Sequence, residues 1–207
     1  MIAIVDYGVG NLFSLVSSFR AIGADAVVTG DATEIRRAEK IVLPGVGAFA
    51  AAVQKLKESG LIPALLEEVK KGKPLLGICL GMQMLFERSS EDGVFEGLAL
   101  LKGEVRPIKE VIPASYKIPH IGWNALRFCK ASPLFKYISE GDYVYFVHSY
   151  YAAHCEESLA ATADYGAPLT ACVQKENVFG CQFHPEKSGD VGLSILRAFV
   201  EYEGENA

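Results

Sequence analysis

The sequence predicts an α/β fold in which a mostly parallel central sheet lies between two layers of helices. In the first half of the chain, short apolar runs alternate with amphipathic stretches, which is the pattern of strand–helix units in a parallel sheet. In the second half, the apolar runs are rich in aromatic and β-branched residues and are separated by turn residues. Such runs favour strands, so we expect them to complete the sheet and to add an antiparallel part.

Each predicted element rests on its own pattern of apolar residues. Short apolar runs predict four strands in the first half, at residues 2–6, 24–30, 40–45 and 73–79. Apolar residues at helical spacing predict helices at residues 12–23, 33–40, 49–59, 62–72, 80–89 and 190–203. Strand-like runs of the second half occupy residues 98–108, 120–128, 142–152, 158–165 and 169–183. Ligands of such sheets bind at the carboxyl ends of the strands, so the segments that follow the strands are candidates for a functional site.

Composition and charge limit the classes of function. The 207 residues suit a single domain, residues 1–207, with a full hydrophobic core. A net charge of −5 and the lack of a Lys/Arg cluster argue against nucleic acid as a partner. No apolar run approaches the roughly 18 to 20 residues of a membrane span. The N-terminal segment has no basic leader, and the five cysteines lack disulfide-like spacing, so we expect free thiols and a cytoplasmic protein.

Cys79 lies between two glycines where a predicted strand meets a predicted helix, in the segment Gly77-Ile78-Cys79-Leu80-Gly81. This is the pattern of a nucleophile elbow, a sharp turn that holds its central residue in a sparsely populated backbone conformation and has no room for larger neighbours. The amides and the dipole at the start of the following helix favour the thiolate, the nucleophilic form of cysteine. The alternative is that the glycines ease a tight turn and Cys79 is a small buried apolar residue.

A thiolate nucleophile normally works with a base and with a group that orients the base. His184 and Glu186 lie two residues apart in His-Pro-Glu, so in an extended segment their side chains point to the same side. A carboxylate in that position fixes the imidazole tautomer and stabilises the imidazolium form. The alternative is an ordinary surface pair, and it is the presence of Cys79 that favours the catalytic interpretation.

The segment Pro44-Gly45-Val46-Gly47 follows another predicted strand and precedes a helix. Its glycines let the main chain turn N–H groups toward the end of the neighbouring strand. The amides of Val46 and Gly47, with that of Leu80, are therefore candidates for an oxyanion hole. The alternative is a glycine-rich turn that begins a helix. A phosphate-binding loop is disfavoured, because no Lys-Ser/Thr pair follows.

A metal site is not expected. Cys181 and His184 are three residues apart, which places them on opposite faces of a strand. No second Cys/His pair has the spacing of zinc ligands, so the sequence predicts neither a metal nor another cofactor.

Taken together and in this order, the segments PGVG, GICLGMQ and HPE resemble the class I, or triad, glutamine amidotransferase family. The resemblance covers nearly the whole chain and implies a flavodoxin-like three-layer sandwich, which agrees with the fold predicted above. It implies hydrolysis of L-glutamine to glutamate and ammonia, with Cys79 as nucleophile, His184 as base and Glu186 as the acid that orients the base. It also implies glutamine contacts at Gln83, at Glu91 and along the main chain of His148, Ser149 and Tyr150.

Local spacing supports these glutamine contacts to different degrees. Gln83 lies one turn after Cys79 on the same helix face, so its amide can reach a ligand at the elbow. Glu91 lies in an acidic loop where Asp92 and Glu87 would serve equally well, and a solvated loop carboxylate is the alternative.

Three further segments, residues 4–12, 119–124 and 147–151, resemble a branch of the family that passes ammonia to a separate TIM-barrel cyclase subunit in amino-acid biosynthesis. The implied partner is that cyclase, in a heterodimer. Asn11, Trp123 and Lys187 are candidates for the docking surface, because they are expected at the rim of the site. Trp123 is the only tryptophan, and burial of its ring in the core is the alternative.

Three other functions fit part of the pattern. The chain could be the glutaminase subunit of a different amidotransferase. A cysteine hydrolase of γ-glutamyl peptides would use the same triad, but it would act alone and on longer substrates. A redox sensor of flavodoxin-like fold would need the elbow cysteine but neither HPE nor PGVG.

Overall fold

The computed structural model describes residues 1–204 of the chain. Six α-helices lie in this part: α1 (Leu12–Ala21), α2 (Ala32–Arg37), α3 (Phe49–Glu58), α4 (Ile62–Lys70), α5 (Leu80–Gln83) and α6 (Gly189–Val200). Fourteen strands lie in the same part: β1 (Ile2–Val5), β2 (Ala26–Thr29), β3 (Lys40–Leu43), β4 (Leu75–Ile78), β5 (Phe86–Ser89), β6 (Phe95–Glu96), β7 (Leu101–Pro107), β8 (His120–Ala125), β9 (Arg127–Phe128), β10 (Tyr143–His148), β11 (Tyr150–Ala153), β12 (Leu159–Asp164), β13 (Pro168–Lys175) and β14 (Val178–Cys181). Single turns of 3-10 helix span Ile108–Glu110, Pro133–Phe135 and Pro185–Lys187.

Eight strands form the central sheet in the order β2-β1-β3-β4-β14-β13-β12-β9. The first five run parallel, and the last three are added antiparallel. Two smaller sheets, β10-β8 and β11-β7-β5-β6, complete the fold. The predicted α/β fold, with a mostly parallel sheet and an antiparallel addition, is confirmed.

Helices cover both faces of this sheet, because alternate side chains of its strands enter two separate cores. In β1, Ala3 and Val5 belong to the core that contains buried residues of α2, α3 and α4, whereas Ile2 and Ile4 belong to the core under α1 and α6. Strands that are apolar on both faces are typical of a parallel sheet buried between helices. The result is a three-layer sandwich.

The register of the sheet brings three strand ends together. β4 lies between β3 and β14 and is parallel to both, with Leu43 opposite Gly77 and Cys181 opposite Ile78. The segments that follow these three strands therefore leave the sheet side by side at its carboxyl edge. These are the segments that contain PGVG, Cys79 and HPE.

The prediction of one helix over residues 80–89 is wrong in its second half. The helix α5 ends at Gln83, and residues Phe86–Ser89 form strand β5. Phe86 and Ser89 are fully buried, and the strand gains hydrogen-bonding partners on both sides, from β6 and β7. This tertiary pairing outweighs the local helical pattern.

No helix among residues 1–204 is long and apolar enough to cross a membrane. The assignment of residues 1–207 to one domain stays a prediction, and its last three residues lie outside the described part of the chain.

Candidate active site

Cys79 occupies the turn between β4 and α5 with a φ of +54°. A non-glycine residue rarely adopts this conformation, and such strain is concentrated at functional sites. A Cβ atom on Gly81 would lie 1.9 Å from the carbonyl oxygen of Leu43, and one on Gly77 would lie 2.8 Å from the main-chain nitrogen of Met82. Both glycines are therefore required by close packing, and the turn has the geometry that the elbow pattern predicts.

His184 and Glu186 form a buried pair directly beside this turn. Nδ1 of His184 lies 2.8 Å from Oε1 of Glu186. The two side chains meet for a reason other than the predicted one, because Glu186 lies in the 3-10 turn Pro185–Lys187 and not in an extended segment. Pro185 begins this turn, which brings the carboxylate back toward the imidazole.

The protonation of His184 depends on its two neighbours. Burial lowers the pKa of His184, but hydrogen bonding and charge interactions with Cys79 and Glu186 outweigh it and raise the pKa to about 9. Since Nδ1 faces Glu186, Nε2 is the ring nitrogen left to exchange a proton at the sulphur. An imidazole held in this way can act as base and then as acid.

One cavity of about 320 Å³ brings most of the predicted site residues together. Its walls contain the predicted nucleophile, base, oxyanion and glutamine-contact residues: Val46, Gly47, Cys79, Leu80, Gln83, Glu91, His148, Ser149, Tyr150 and His184. Pro119 and Val147, which the sequence did not suggest, complete the walls. Glu186 is not in the wall; it contacts His184 from behind.

The candidate oxyanion donors lie on two sides of Cys79. Leu80 is the first residue of α5, so its N–H has no acceptor within the helix. Val46 is 43% exposed, and its N–H donates no hydrogen bond to another residue in the range 1–204. Gly47 has a φ of +92°, a conformation that favours glycine. Their role as an oxyanion hole stays a prediction.

Two predicted glutamine contacts already have partners in the protein. Oε2 of Glu91 accepts a hydrogen bond of 2.8 Å from the amide of Phe49, at the start of α3. The amide nitrogen of Gln83 donates to the carbonyl of Tyr150 at 3.2 Å and to Oε1 of Gln182 at 3.0 Å. These contacts hold both side chains at the cavity wall.

Sequence reasoning missed three buried polar residues near the site. Nε2 of Gln182 lies 3.7 Å from Sγ of Cys79. The hydroxyl of Tyr7 donates to the carbonyl of Pro44 at 2.7 Å, and Nδ1 of His120 lies 3.0 Å from Nε2 of His148. The sequence did contain a signal for Gln182. It lies two residues before His184, and in an extended segment residues two apart point to the same side.

The three docking candidates lie on the surface. Trp123 is 54% exposed, so burial of its ring in the core is wrong. Its ring packs edge-on against Tyr145, and the ammonium of exposed Lys187 lies 5.9 Å from the same tyrosine ring. Asn11 caps α1 by accepting a hydrogen bond from the Ser14 amide. Contact with a partner stays a prediction for all three.

Comparison with known proteins places the chain in a family. The sequence model described as "Glutamine amidotransferase class-I" matches residues 3–201. The chain belongs to the class I glutamine amidotransferase family. This is the family that the three ordered motifs resemble, and the chain also has the close arrangement of Cys79, His184 and Glu186 described above.

Several members of the class I family are about half identical to this chain over almost its full length. A protein of Caldanaerobacter subterraneus subsp. tengcongensis named "Imidazole glycerol phosphate synthase subunit HisH" is 50% identical, covering 97% of this chain and 98% of the relative. Proteins with the same name from Bacillus cereus and Lactococcus lactis are 51% and 50% identical, covering 96% and 97% of this chain and 93% and 98% of those relatives.

Solved structures of other proteins share the fold. A structure described as a glutamine amidotransferase superposes with a TM-score of 0.74 at 17% identity, covering 97% of this chain and all of that chain. PurLQS from Thermotoga maritima gives a TM-score of 0.72 at 18% identity, covering 97% of each chain. At such low identity these structures support the fold alone.

Proposed function

We propose that the chain is the glutaminase subunit of an imidazole glycerol phosphate synthase. It hydrolyses L-glutamine to glutamate and ammonia and passes the ammonia to a separate cyclase subunit in histidine biosynthesis. The observation that carries the proposal is the single cavity in which Cys79 and His184 meet the candidate oxyanion amides and glutamine contacts. The relatives named as subunits of this synthase support it.

The reaction follows from the geometry around Cys79. The thiolate attacks the side-chain amide carbon of glutamine, and the carbonyl oxygen becomes an oxyanion that accepts hydrogen bonds from the main chain near Val46, Gly47 and Leu80. His184 protonates the amide nitrogen, and the C–N bond breaks. Ammonia departs, and a γ-glutamyl thioester remains on Cys79. His184 then takes a proton from water, whose oxygen attacks the thioester and releases glutamate. Glu186 orients His184 throughout.

Glutamine is recognised by polar groups that are fixed before it binds. The amide nitrogen of Gln83 is engaged by two acceptors, so its Oε1 is left to accept from the substrate. Glu91 is held through Oε2 by the Phe49 amide, which leaves Oε1 for the substrate ammonium. The main chain of residues 148–150 closes the other side of the cavity.

The proposed control of the reaction acts on the oxyanion segment, residues 44–47. One oxyanion donor contributes on the order of 3 kcal/mol to transition-state stabilisation. A misplaced Val46 amide therefore silences the site although the triad is intact. We assign its correct placement to the cyclase subunit when that subunit carries its own substrate.

The partner is a TIM-barrel cyclase that docks over the rim of the cavity and forms a heterodimer with the chain. Trp123 and Lys187 both lie against the ring of Tyr145, whose carbonyl accepts a hydrogen bond from the His184 amide. Phe13, next but one to Asn11, is 83% exposed. Exposed aromatic side chains beside a cation are typical of interface hot spots. The nucleophile must stay reduced, which favours the cytoplasm as its compartment. The cyclase then makes imidazole glycerol phosphate and an aminoimidazole carboxamide ribotide.

The test is a glutamate-release assay of the purified chain with and without the cyclase subunit. We expect little release alone and strong release with the liganded partner. Cys79→Ala should abolish release but leave the cyclase able to use ammonium salts, and Cys129→Ala, at an exposed cysteine, is the matched control. Full activity without partner on longer γ-glutamyl substrates would point to the peptide hydrolase. No glutamine turnover under any condition would overturn the proposal.

A further inference from the structure

A second glutamine, Gln182, contacts the nucleophile from inside the protein. Its side chain is fully buried at the end of β14. Nε2 lies 3.7 Å from Sγ of Cys79, and Oε1 lies 3.0 Å from the amide nitrogen of Gln83. The Oε1 and Nε2 atoms of a glutamine amide have opposite hydrogen-bonding roles, so the effect of this contact depends on which of them faces the sulphur.

The orientation of the Gln182 amide is fixed by its neighbours. Gln83 also faces the carbonyl oxygen of Tyr150 at 3.2 Å, and a carbonyl oxygen can only accept. The Gln83 atom between Tyr150 and Gln182 must therefore be the NH₂ group. It follows that Gln182 presents its oxygen to Gln83 and its N–H to the sulphur of Cys79.

The same carbonyl fixes a histidine pair behind it. Tyr150 O lies 2.8 Å from Nδ1 of His148, so Nδ1 carries the proton and Nε2 accepts from Nδ1 of His120 at 3.0 Å. Nε2 of His120 accepts from the side-chain amide of Asn124 at 3.3 Å, and that amide also donates to the carbonyl of Asp164 at 2.7 Å. The pKa of each of the two histidines is lowered to about 4, chiefly by burial. Both rings are therefore neutral at neutral pH, as these hydrogen bonds require.

Hydrogen bonds thus connect Asp164 with Cys79 without a break, and the two main-chain carbonyls fix the sense of every donor. Donation runs from Asn124 through the two histidines to the carbonyl of Tyr150, and from Gln83 both to that carbonyl and, through Gln182, to Cys79. These hydrogen bonds join distant parts of the sequence, since Gln182 and Cys79 are 103 residues apart. A buried N–H that points at a sulphur stabilises the thiolate more than the thiol, because hydrogen bonds to charged acceptors are the stronger ones.

We propose that Gln182 is a catalytic residue whose side-chain amide donates to Sγ of Cys79 and stabilises the thiolate that attacks glutamine. The proposal rests on the proposed glutaminase reaction for its effect on turnover, but the contact with the thiolate is independent of that reaction. No bond is made or broken by Gln182. Its role complements that of His184, which exchanges the proton.

The experiment compares Gln182→Met with Gln174→Met, which makes the same chemical change on the neighbouring strand β13. The first readout is the ultraviolet absorbance of the Cys79 thiolate as a function of pH, with Cys79→Ala subtracted. We expect Gln182→Met to move its midpoint upward by about one pH unit, a tenfold change in the equilibrium. Gln174→Met should leave the midpoint where it is in the wild type.

The second readout is glutaminase kinetics with the cyclase subunit present. We expect kcat of Gln182→Met to fall about tenfold or more, with KM within about twofold of wild type. Gln182→Glu keeps an oxygen acceptor for Gln83 but replaces the N–H donor, so its kcat should fall by as much. This variant takes the place of Gln182→Met if the latter does not fold. An unchanged thiolate midpoint, or a loss confined to KM, overturns the proposal. If the wild type fails to turn over glutamine while the midpoint still moves, the glutaminase reaction is wrong and the contact stands.

Discussion

The two sides of the candidate site are built in different ways. On the nucleophile side, the amide of Cys79 donates to the carbonyl of Cys181 at 2.7 Å. The sulphur faces the buried amide of Gln182, and His184 is held by Glu186. The elbow glycines leave no room for a side chain against Leu43 and Met82. Every group that would react is fixed by the packed core.

On the oxyanion side, contacts are few. Val46 and Gly47 separate the site from a second cavity of about 360 Å³, which lies against residues 8–10. A Cβ atom on Gly47 would meet nothing within 4 Å, whereas one on Gly45 would lie 2.7 Å from the main-chain nitrogen of Gly81. The packed part of this segment therefore ends at Gly45.

This difference indicates where activity can be changed without disturbing the predicted triad of Cys79, His184 and Glu186. A segment with space on both sides can move at little cost, whereas a close-packed turn cannot. The second cavity also joins the oxyanion segment to the loop that precedes Asn11, a predicted docking residue.

Alanine substitutions at the two glycines of the oxyanion segment should differ in their effect on stability. Gly45→Ala forces a Cβ into main-chain atoms and should lower the free energy of unfolding by about 3 kcal/mol. Gly47→Ala meets open space and should cost only about 1 kcal/mol, the strain of an alanine at positive φ. Urea denaturation of both variants measures the difference, and equal losses would contradict the account.

Acid should destabilise the fold through the neutral pair of His120 and His148, which hydrogen bonds link to the nucleophile side. Burial lowers the pKa of His120 and His148 to about 4, below the unfolded value of roughly 6.5. Between these values the unfolded chain binds protons that the folded chain does not, so stability falls as pH falls from about 6.5 to 4. The loss is on the order of 3 kcal/mol for each ring that titrates alone.

Thermal unfolding across this pH range measures the effect. His120→Phe keeps the ring stacked between Phe146 and Tyr165 and should make the acid decline shallower. His154→Asn, at an exposed histidine, is the matched control for the removal of one imidazole. An acid decline as steep in His120→Phe as in the wild type would show that the pair does not carry it.

The hydroxyl of Tyr7 is a buried hydrogen-bond donor to Pro44, the first residue of the oxyanion segment. Burial, followed by the charge of Cys79, raises the pKa of Tyr7, so the hydroxyl remains a donor to Pro44 at neutral pH. Tyr7→Phe should cost about 1 kcal/mol of stability and lower kcat several-fold, with KM little changed. Tyr165→Phe removes a comparable bond to the Lys117 carbonyl and should leave kcat unchanged. Equal kcat values in the two variants would show that the Tyr7 hydroxyl does not position the oxyanion segment.

Local sterics made the elbow predictable from the sequence. Gly77 and Gly81 lie at fixed sequence positions around Cys79. A Cβ atom on Gly77 would meet Met82 in the turn itself, whereas one on Gly81 would meet Leu43 at the end of the neighbouring strand β3. The parallel sheet was predictable for a similar reason, since its strands are apolar on both faces. The contact of His184 with Glu186 was predicted correctly but from the wrong geometry, because the 3-10 turn at Pro185 has no periodic signal.

Long-range pairing explains what the sequence did not predict. The strand β5 depends on β7, which begins twelve residues after β5 ends, and no local pattern reports that pairing. The contact between Tyr7 and Pro44 joins residues 37 apart, and that between Gln182 and Cys79 joins residues 103 apart. Such polar contacts are visible only once the strands have been placed.

The pKa of His184, followed by NMR titration in the wild type and in Cys79→Ala, tests the pairing of sulphur and imidazole most directly. Since interaction with Cys79 favours the charged imidazole, we predict a value of about 9 in the wild type and a clear decrease in the variant. An ordinary value near 6.5 in the wild type, left unmoved by removal of the sulphur, would contradict a Cys79–His184 pair and the reaction built on it.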